Sequence, residues 1–164
     1  MGYQLIETIE VGSGGAASIE FTGIPQDGVD LVCLISERHT DTGNVIKVAL
    51  NGDGGSNYTW KRLYGTGSGA YSDGYTSFPP FGPWGAPNSF TANTFGNAEV
   101  RIPNYASTNP KVVSYDGVTE NNATLAYSGI GVLSWNQSSA ITSLTLGTNF
   151  AEFSTASLYK ITAD

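Results

Sequence analysis

Apolar and polar positions alternate along most of this chain, and turn residues separate the alternating runs. In YQLIETIEV, Tyr3, Leu5, Ile9 and Val11 share one parity, interrupted by Glu7. GSGG follows, then ASIEF, where Ile19 and Phe21 alternate with Ser18 and Glu20. A period of two predicts half-buried β-strands, because successive strand side chains point to opposite faces. IPQDG is a turn signal before VDLVCLISER, whose almost unbroken apolar run predicts a strand covered on both faces. HTDTGN turns the chain into VIKVALNG. The stretch NGDGGSNYTWKRLYG then reads as a strand ending at Leu50, a hairpin turn using Gly52, Gly54 and Gly55, and a strand starting at Asn57. Further on, AEVRIPNY, KVVSYDG, TLAYSGIGVLSW, AITSLTLG and ASLYKIT give more strands, with one weak helical signal around TENNA.

Many short strands without helical periodicity predict one all-β domain over residues 1–164, an antiparallel β-sandwich or barrel. Its expected core is Leu31, Leu34, Ile46, Val48, Leu50, Val100, Ile102, Leu144, Leu146 and Leu158. The alternation lapses between Gly65 and Asn97, a stretch of Gly, Ser, Pro and aromatic residues. A long irregular segment in a compact domain is often functional. Rigid rings among small polar residues suit a contact surface. Tyr71, Tyr75, Phe78, Phe81, Trp84 and Phe90 are therefore the candidate interaction surface. They would serve a protein partner or a sugar face, and the alternative is a loop folded back as a lid on its own sheet. The flanking strands make a sandwich pattern without this segment, so it is expected to carry intermolecular contact rather than stability.

Composition narrows the chemistry. Charged residues are 13% of the chain, Gly accounts for 21 of 164 residues and the net charge is −7. That balance suits turns and disfavours nucleic acid or anionic membranes as partners. No apolar run approaches a membrane span, and MGYQLIETIE lacks the basic-then-apolar pattern of a secretion leader. Cys33, the single cysteine, lies in an apolar run and is expected to be a buried, inert thiol. His39, the single histidine, is expected at the surface, with no nucleophile elbow to serve. Zinc needs more nitrogen or sulfur ligands than the chain offers. A calcium loop starting at Asn51 fails at Gly55, Ser56 and Arg62. Glu37, Glu99, Glu120 and Glu152 are the carboxylates that a glycosidase would need to pair, and nothing marks a pair. We expect no metal, no cofactor and no enzymatic activity.

The stretches LIETIEVGSGGAASIEFTGIPQDGVDLVCLISER, VALNGDGGSNYTWKRLYG, NAEVRIPNYAS and TASLYKI resemble a family of small jelly-roll virion proteins of tailed bacteriophages of aquatic bacteria and cyanobacteria. The resemblance runs from Leu5 to Ile161. It implies that Ile24-Pro25-Gln26 turns into the central strand, that Asn51-Gly52-Asp53 is a hairpin turn, that Arg101 to Tyr105 ends a strand and that Ser157-Leu158-Tyr159 lies in the last one. Such proteins often carry glycine after that tyrosine, where this chain has Lys160. The implied role is a non-enzymatic capsid decoration or cement protein, or a head-fibre or tail component, made in the host cytoplasm and placed on the virion surface. Implied partners are capsid or tail proteins and further copies of the chain, as a homotrimer or another cyclic oligomer. A bare domain without a stalk favours decoration over a tail fibre. The other reading is a tail-associated lectin for host-surface glycans, with Trp84 beside Asp73, or Trp60 beside Asp53, as its ring and acid.

Overall fold

The computed structural model describes residues 2–163, and among them every regular element is a strand. In chain order these are β1 (Gly2–Glu10), β2 (Ala16–Phe21), β3 (Asp30–Glu37), β4 (Lys47–Leu50), β5 (Tyr58–Gly65) and β6 (Ala70–Phe78). They are followed by β7 (Gly96–Pro103), β8 (Lys111–Glu120), β9 (Ala126–Trp135), β10 (Leu144–Phe150) and β11 (Thr155–Thr162). They form an eight-stranded sheet, β1-β11-β3-β7-β8-β9-β5-β6, and a three-stranded sheet, β2-β10-β4, with antiparallel pairing throughout. The β-sandwich expectation holds at this level, and the helical turn around TENNA is absent because β8 runs on to Glu120.

Alternation works best in β8, where Val113 and Tyr115 point inward between exposed Val112, Ser114 and Asp116. Leu31, Ile46, Val48, Leu50, Val100, Ile102, Leu144, Leu146 and Leu158 are all buried as expected. Leu34 is the exception at 44% exposure. In β3 the residues Leu31, Cys33 and Ile35 face the core, which turns Leu34 to the outer face. Only Val32 is buried on that outer side, so β3 is not covered along both faces.

Three further expectations are corrected. In β1 the register slips between Leu5 and Glu7, and the extra residue of the bulge is Ile6. Tyr3 and Leu5 are therefore exposed while Ile6 and Ile9 pack on the core. Glu7 interrupted the parity because the pairing itself shifts there.

The hairpin expected at Asn51-Gly52-Asp53 is a crossing between sheets, since β4 belongs to the small sheet and β5 to the large one. Asn51 and Gly52 take positive φ (52° and 68°) to turn this corner. Asn51 Oδ1 accepts from Thr142 N at 2.8 Å, and Asn51 Nδ2 donates to Ala140 O at 2.8 Å. Tyr58 OH accepts from Leu50 N and donates to Asp53 O, which ties the corner to both strands.

The irregular segment is also shorter than expected. After a turn at residues 66–69 it forms β6, paired with β5 from Ala70 to Phe78, and residues 79–95 lie outside regular strands before β7. β6 is an edge strand, so its sequence need not be apolar on either side.

Sheet widths explain residues 79–95. Strands repeat about every 4.8 Å, so three strands cannot cover the inner face of eight. Residues 79–95 cover part of what is left, over Trp60, Arg62 and Tyr64. They also run along the chain just before β4: Ile46 N donates to Pro83 O, Gly85 N donates to Asn44 O, and Val45 bridges Trp84 in antiparallel sense.

Candidate interaction surface

Candidate aromatics from the irregular segment fall into three groups. Trp84 and Phe90 are buried, Phe78 and Phe81 are half-buried, and Tyr71 and Tyr75 are exposed. Phe81 stacks on Trp60, with centroids 3.8 Å apart and planes 5° from parallel. Trp84 stacks on Tyr127 at 4.3 Å and meets Tyr64 edge-on at 5.1 Å. Tyr71 and Tyr75 stand on β6 at the margin, 5.4 Å from Tyr64 and from Trp60 respectively. The expectation that these six rings form one free surface therefore fails for Trp84 and Phe90, which are interior to their own domain.

At the centre of the cluster is Arg62, which the sequence did not single out. Its guanidinium carbon lies 4.0 Å from the Trp84 ring centroid, 4.8 Å from Tyr64 and Phe81, and 5.2 Å from Trp60. Nε and Nη2 donate to the two carboxylate oxygens of Asp73 at 2.7 and 2.9 Å. The fork thus satisfies one edge of the cation, while ring faces surround the rest, including Nη1, which has no acceptor. β9 carries Gly131 opposite Arg62, and a Cβ there would lie 2.3 Å from the Tyr115 ring, so the glycine makes room for that ring.

The segment is latched where β3 ends. Glu37 Oε1 accepts from Ala86 N at 2.7 Å, and His39 N donates to Ala86 O at 2.7 Å. Arg38 donates to the carbonyls of Asn88, Phe90, Thr91 and Thr94 at 2.9–3.0 Å. His39 is buried, which corrects its expected surface position. Its Nε2 lies 3.0 Å from Glu37 Oε2 without aligned hydrogen-bond geometry, and its Nδ1 lies 2.9 Å from Thr148 Oγ1. Gly85 and Gly96 make space for this pair: a Cβ would lie 2.4 Å from His39 Nε2 in one case and 2.8 Å from Glu37 Oε1 in the other. These contacts join the end of β3 to residues 86–94 and to Thr148.

Other readings from the sequence are resolved by placement. Trp60 and Trp84 are both buried, so neither offers a ring face to a sugar. Asp73 is taken by Arg62, and Asp53 accepts from the indole of Trp135 at 2.8 Å rather than standing beside an open Trp60. That indole bond holds the Asp53 carboxyl below its ordinary range. Glu37 and Glu99 lie on opposite faces of the large sheet, Glu37 inward and Glu99 paired with outward Leu34. Cys33 is buried, and burial pushes its thiol up to about 12, as an inert thiol requires. Lys160, on the inward face of β11, gives its ammonium to Asp27 at 2.6 Å. Tyr105 OH donates to Pro25 O and accepts from Gly28 N, tying the end of β7 to the turn before β3.

A free apolar surface does exist, on the outer face of the large sheet. Ile130 is 61% exposed, Leu63 59% and Val118 50%, with Val132 next to Ile130 and Leu34 on the same face across Glu99 and Asp116. Leu63, Ile130 and Val132 floor an open depression of about 860 Å³, edged by Lys61, Glu99, Arg101 and Asp116. Arg101 is bound through Nη2 to Asp30 at 2.7 Å, and its side chain stays 48% exposed. Alternation alone predicts which residues point outward here. It does not reveal that the opposite face is already covered, which is what marks this one as open.

Comparison of the chain with protein-family models, with curated proteins and with solved structures found no match in any of the three.

Proposed function

We propose that the chain is a non-enzymatic structural protein of a bacteriophage particle surface, of the decoration or cement kind, and that it works by protein–protein contact. The observation that carries this reading is the apolar outer face around Ile130 and Leu63, where large aliphatic side chains stand exposed together. Sequence resemblance to jelly-roll virion proteins supplies the setting.

Strand order supports the jelly-roll form of the sandwich. A jelly roll wraps two Greek keys so that early and late strands pair across two sheets. Here β1 pairs β11 and β2 pairs β10, while β3 lies between β11 and β7. Residues 82–85, beside the chain just before β4, stand where a fourth strand of the small sheet would lie. The four strands β8, β9, β5 and β6 extend the large sheet beyond that plan.

The glycan-binding alternative lacks support from its own candidate rings, because Trp60 and Trp84 are interior. The test is immunogold labelling and mass spectrometry of intact particles from cells carrying the gene. Many copies per particle, labelled on the capsid, are expected. Particles free of the protein would end this reading, and tight selective binding on a glycan array would favour the receptor-binding alternative.

A further inference from the structure

We infer that the outer face of the eight-stranded sheet is a self-association surface. Two copies pack on it about a two-fold axis that lies in the interface and runs across the strands. The particle reading above gives this its setting, while the argument itself rests on sheet register.

Across β7, β8, β9 and β5 the outward side chains form two neighbouring rows. One row is Glu99, Asp116, Ile130 and Leu63, and the next is Arg101, Ser114, Val132 and Lys61. Residues two apart on a strand are about 7 Å apart, so the rows run side by side. An axis midway between them lays each row of one copy on the other row of the second copy. Glu99 then faces Arg101 twice, Ile130 faces Val132 twice, and Asp116 faces Ser114. Leu63 lies along the aliphatic stem of Lys61. An axis parallel to the strands and midway across these four would instead set Asp116 on Ile130 and Glu99 on Leu63, carboxylates against methyl groups.

The same partner relieves two costs of the isolated chain. Glu99 and Asp116 are directly opposite across β7 and β8, and like charges in that position are unfavourable. Ile130 and Leu63 stand next to them, exposed. Arg101 can serve a second carboxylate because Asp30 occupies only its Nη2.

Size is sufficient. Four strands at about 4.8 Å and three outward positions per strand give a face about 20 Å square, and side-chain relief brings the total buried by two copies to roughly 1,000 Å². Two such sheets stack about 10 Å apart, the spacing of an ordinary β-sandwich.

The experiment is multi-angle light scattering of the purified full chain from micromolar to near-millimolar concentration. The variants are Ile130→Asp, Glu99→Arg and the double variant Glu99→Arg with Arg101→Glu, each checked by thermal melting. The expected species is twice the 17.2 kDa chain mass. Ile130→Asp and Glu99→Arg should weaken it at least about tenfold while melting as folded proteins. The double variant should regain most of the loss, since it exchanges the charges across the axis. A monomer throughout, a trimer, a dimer indifferent to Ile130→Asp and Glu99→Arg, or a double variant no tighter than Glu99→Arg would each overturn the inference. A monomer that still labels on particles leaves the particle reading intact, and a dimer absent from particles leaves the interface intact.

Discussion

Arg62 shows how one residue can hold a region together without any sequence motif. Its cation is enclosed by four ring faces and forked onto Asp73. Arg62→Ala removes packing and leaves a carboxylate without its partner. We expect a loss of about 2–4 kcal/mol, at the lower end because Asp73 is partly open to water. Arg62→Lys should recover only part, since an ammonium cannot fork. Urea midpoints measure both, and a loss within about 0.5 kcal/mol for the alanine variant would mean that the cage contributes nothing. Asp53 gives a prediction in pH. Its folded-state pKa is lowered, chiefly by the Trp135 indole and further by Gly55 N and Asn57. A lowered acid contributes stability above its unfolded pKa, about 3.9, and that contribution disappears as pH falls through the folded value. Wild type should therefore lose stability on acidification below about pH 5 more steeply than Asp53→Asn, each referred to its own value at pH 7. Parallel curves would show that the indole bond is not linked to folding. Some residue-scale features were readable beforehand: Cys33 sits in an apolar run and is buried. Buried His39 and Lys160 were not, because each meets a partner distant in the chain. Lys160 meets Asp27, and His39 meets Thr148.

At the scale of elements, residues 79–95 behave as part of the sandwich. Trp84 is 7% exposed and touches Tyr64, Tyr127 and the Arg62 cation. Trp84→Ser should cost about 3–5 kcal/mol, the range for emptying a large buried aromatic site. Tyr71→Ser and Tyr75→Ser, at half-exposed positions on the edge strand, should each cost about 1 kcal/mol or less. Thermal melts decide the matter: a normal melting temperature for Trp84→Ser, with assembly lost, would restore the segment to the role of an intermolecular contact. Composition could not separate these outcomes. Rings among Gly, Ser and Pro suit both a contact loop and a cover. The choice depended on how wide the sheet beneath would be, and hence on where β5 and β9 pair. Strand existence was easier to read. β7, β8 and β11 follow their alternation closely, while β6 was missed because an edge strand meets less apolar surface and its alternation fades.

For the whole molecule, Cys33 provides a probe of global opening. It is buried in the middle of the large sheet, between β11 and β7, with its thiol raised to about 12. Labelling by a disulfide reagent near pH 8 should wait for unfolding and should slow as stability rises. Rapid labelling of the native protein would show that β3 is reached by local opening. At this scale the sequence determined the class of structure by itself. Alternation, frequent turn residues and scarce charge leave a chain of this length no other way to bury its apolar positions than in stacked antiparallel sheets. Tertiary structure alone decided three other things. It moved Asn51 to Asp53 from a hairpin to a corner between sheets, because partner strands are chosen by long-range pairing that local turn chemistry does not encode. It turned the aromatic segment inward, because an eight-stranded face opposite a three-stranded one leaves surface to cover. It left Leu34, Leu63, Ile130 and Val132 facing water, because a period of two assigns residues to two faces and only the assembled sheets determine which face is buried.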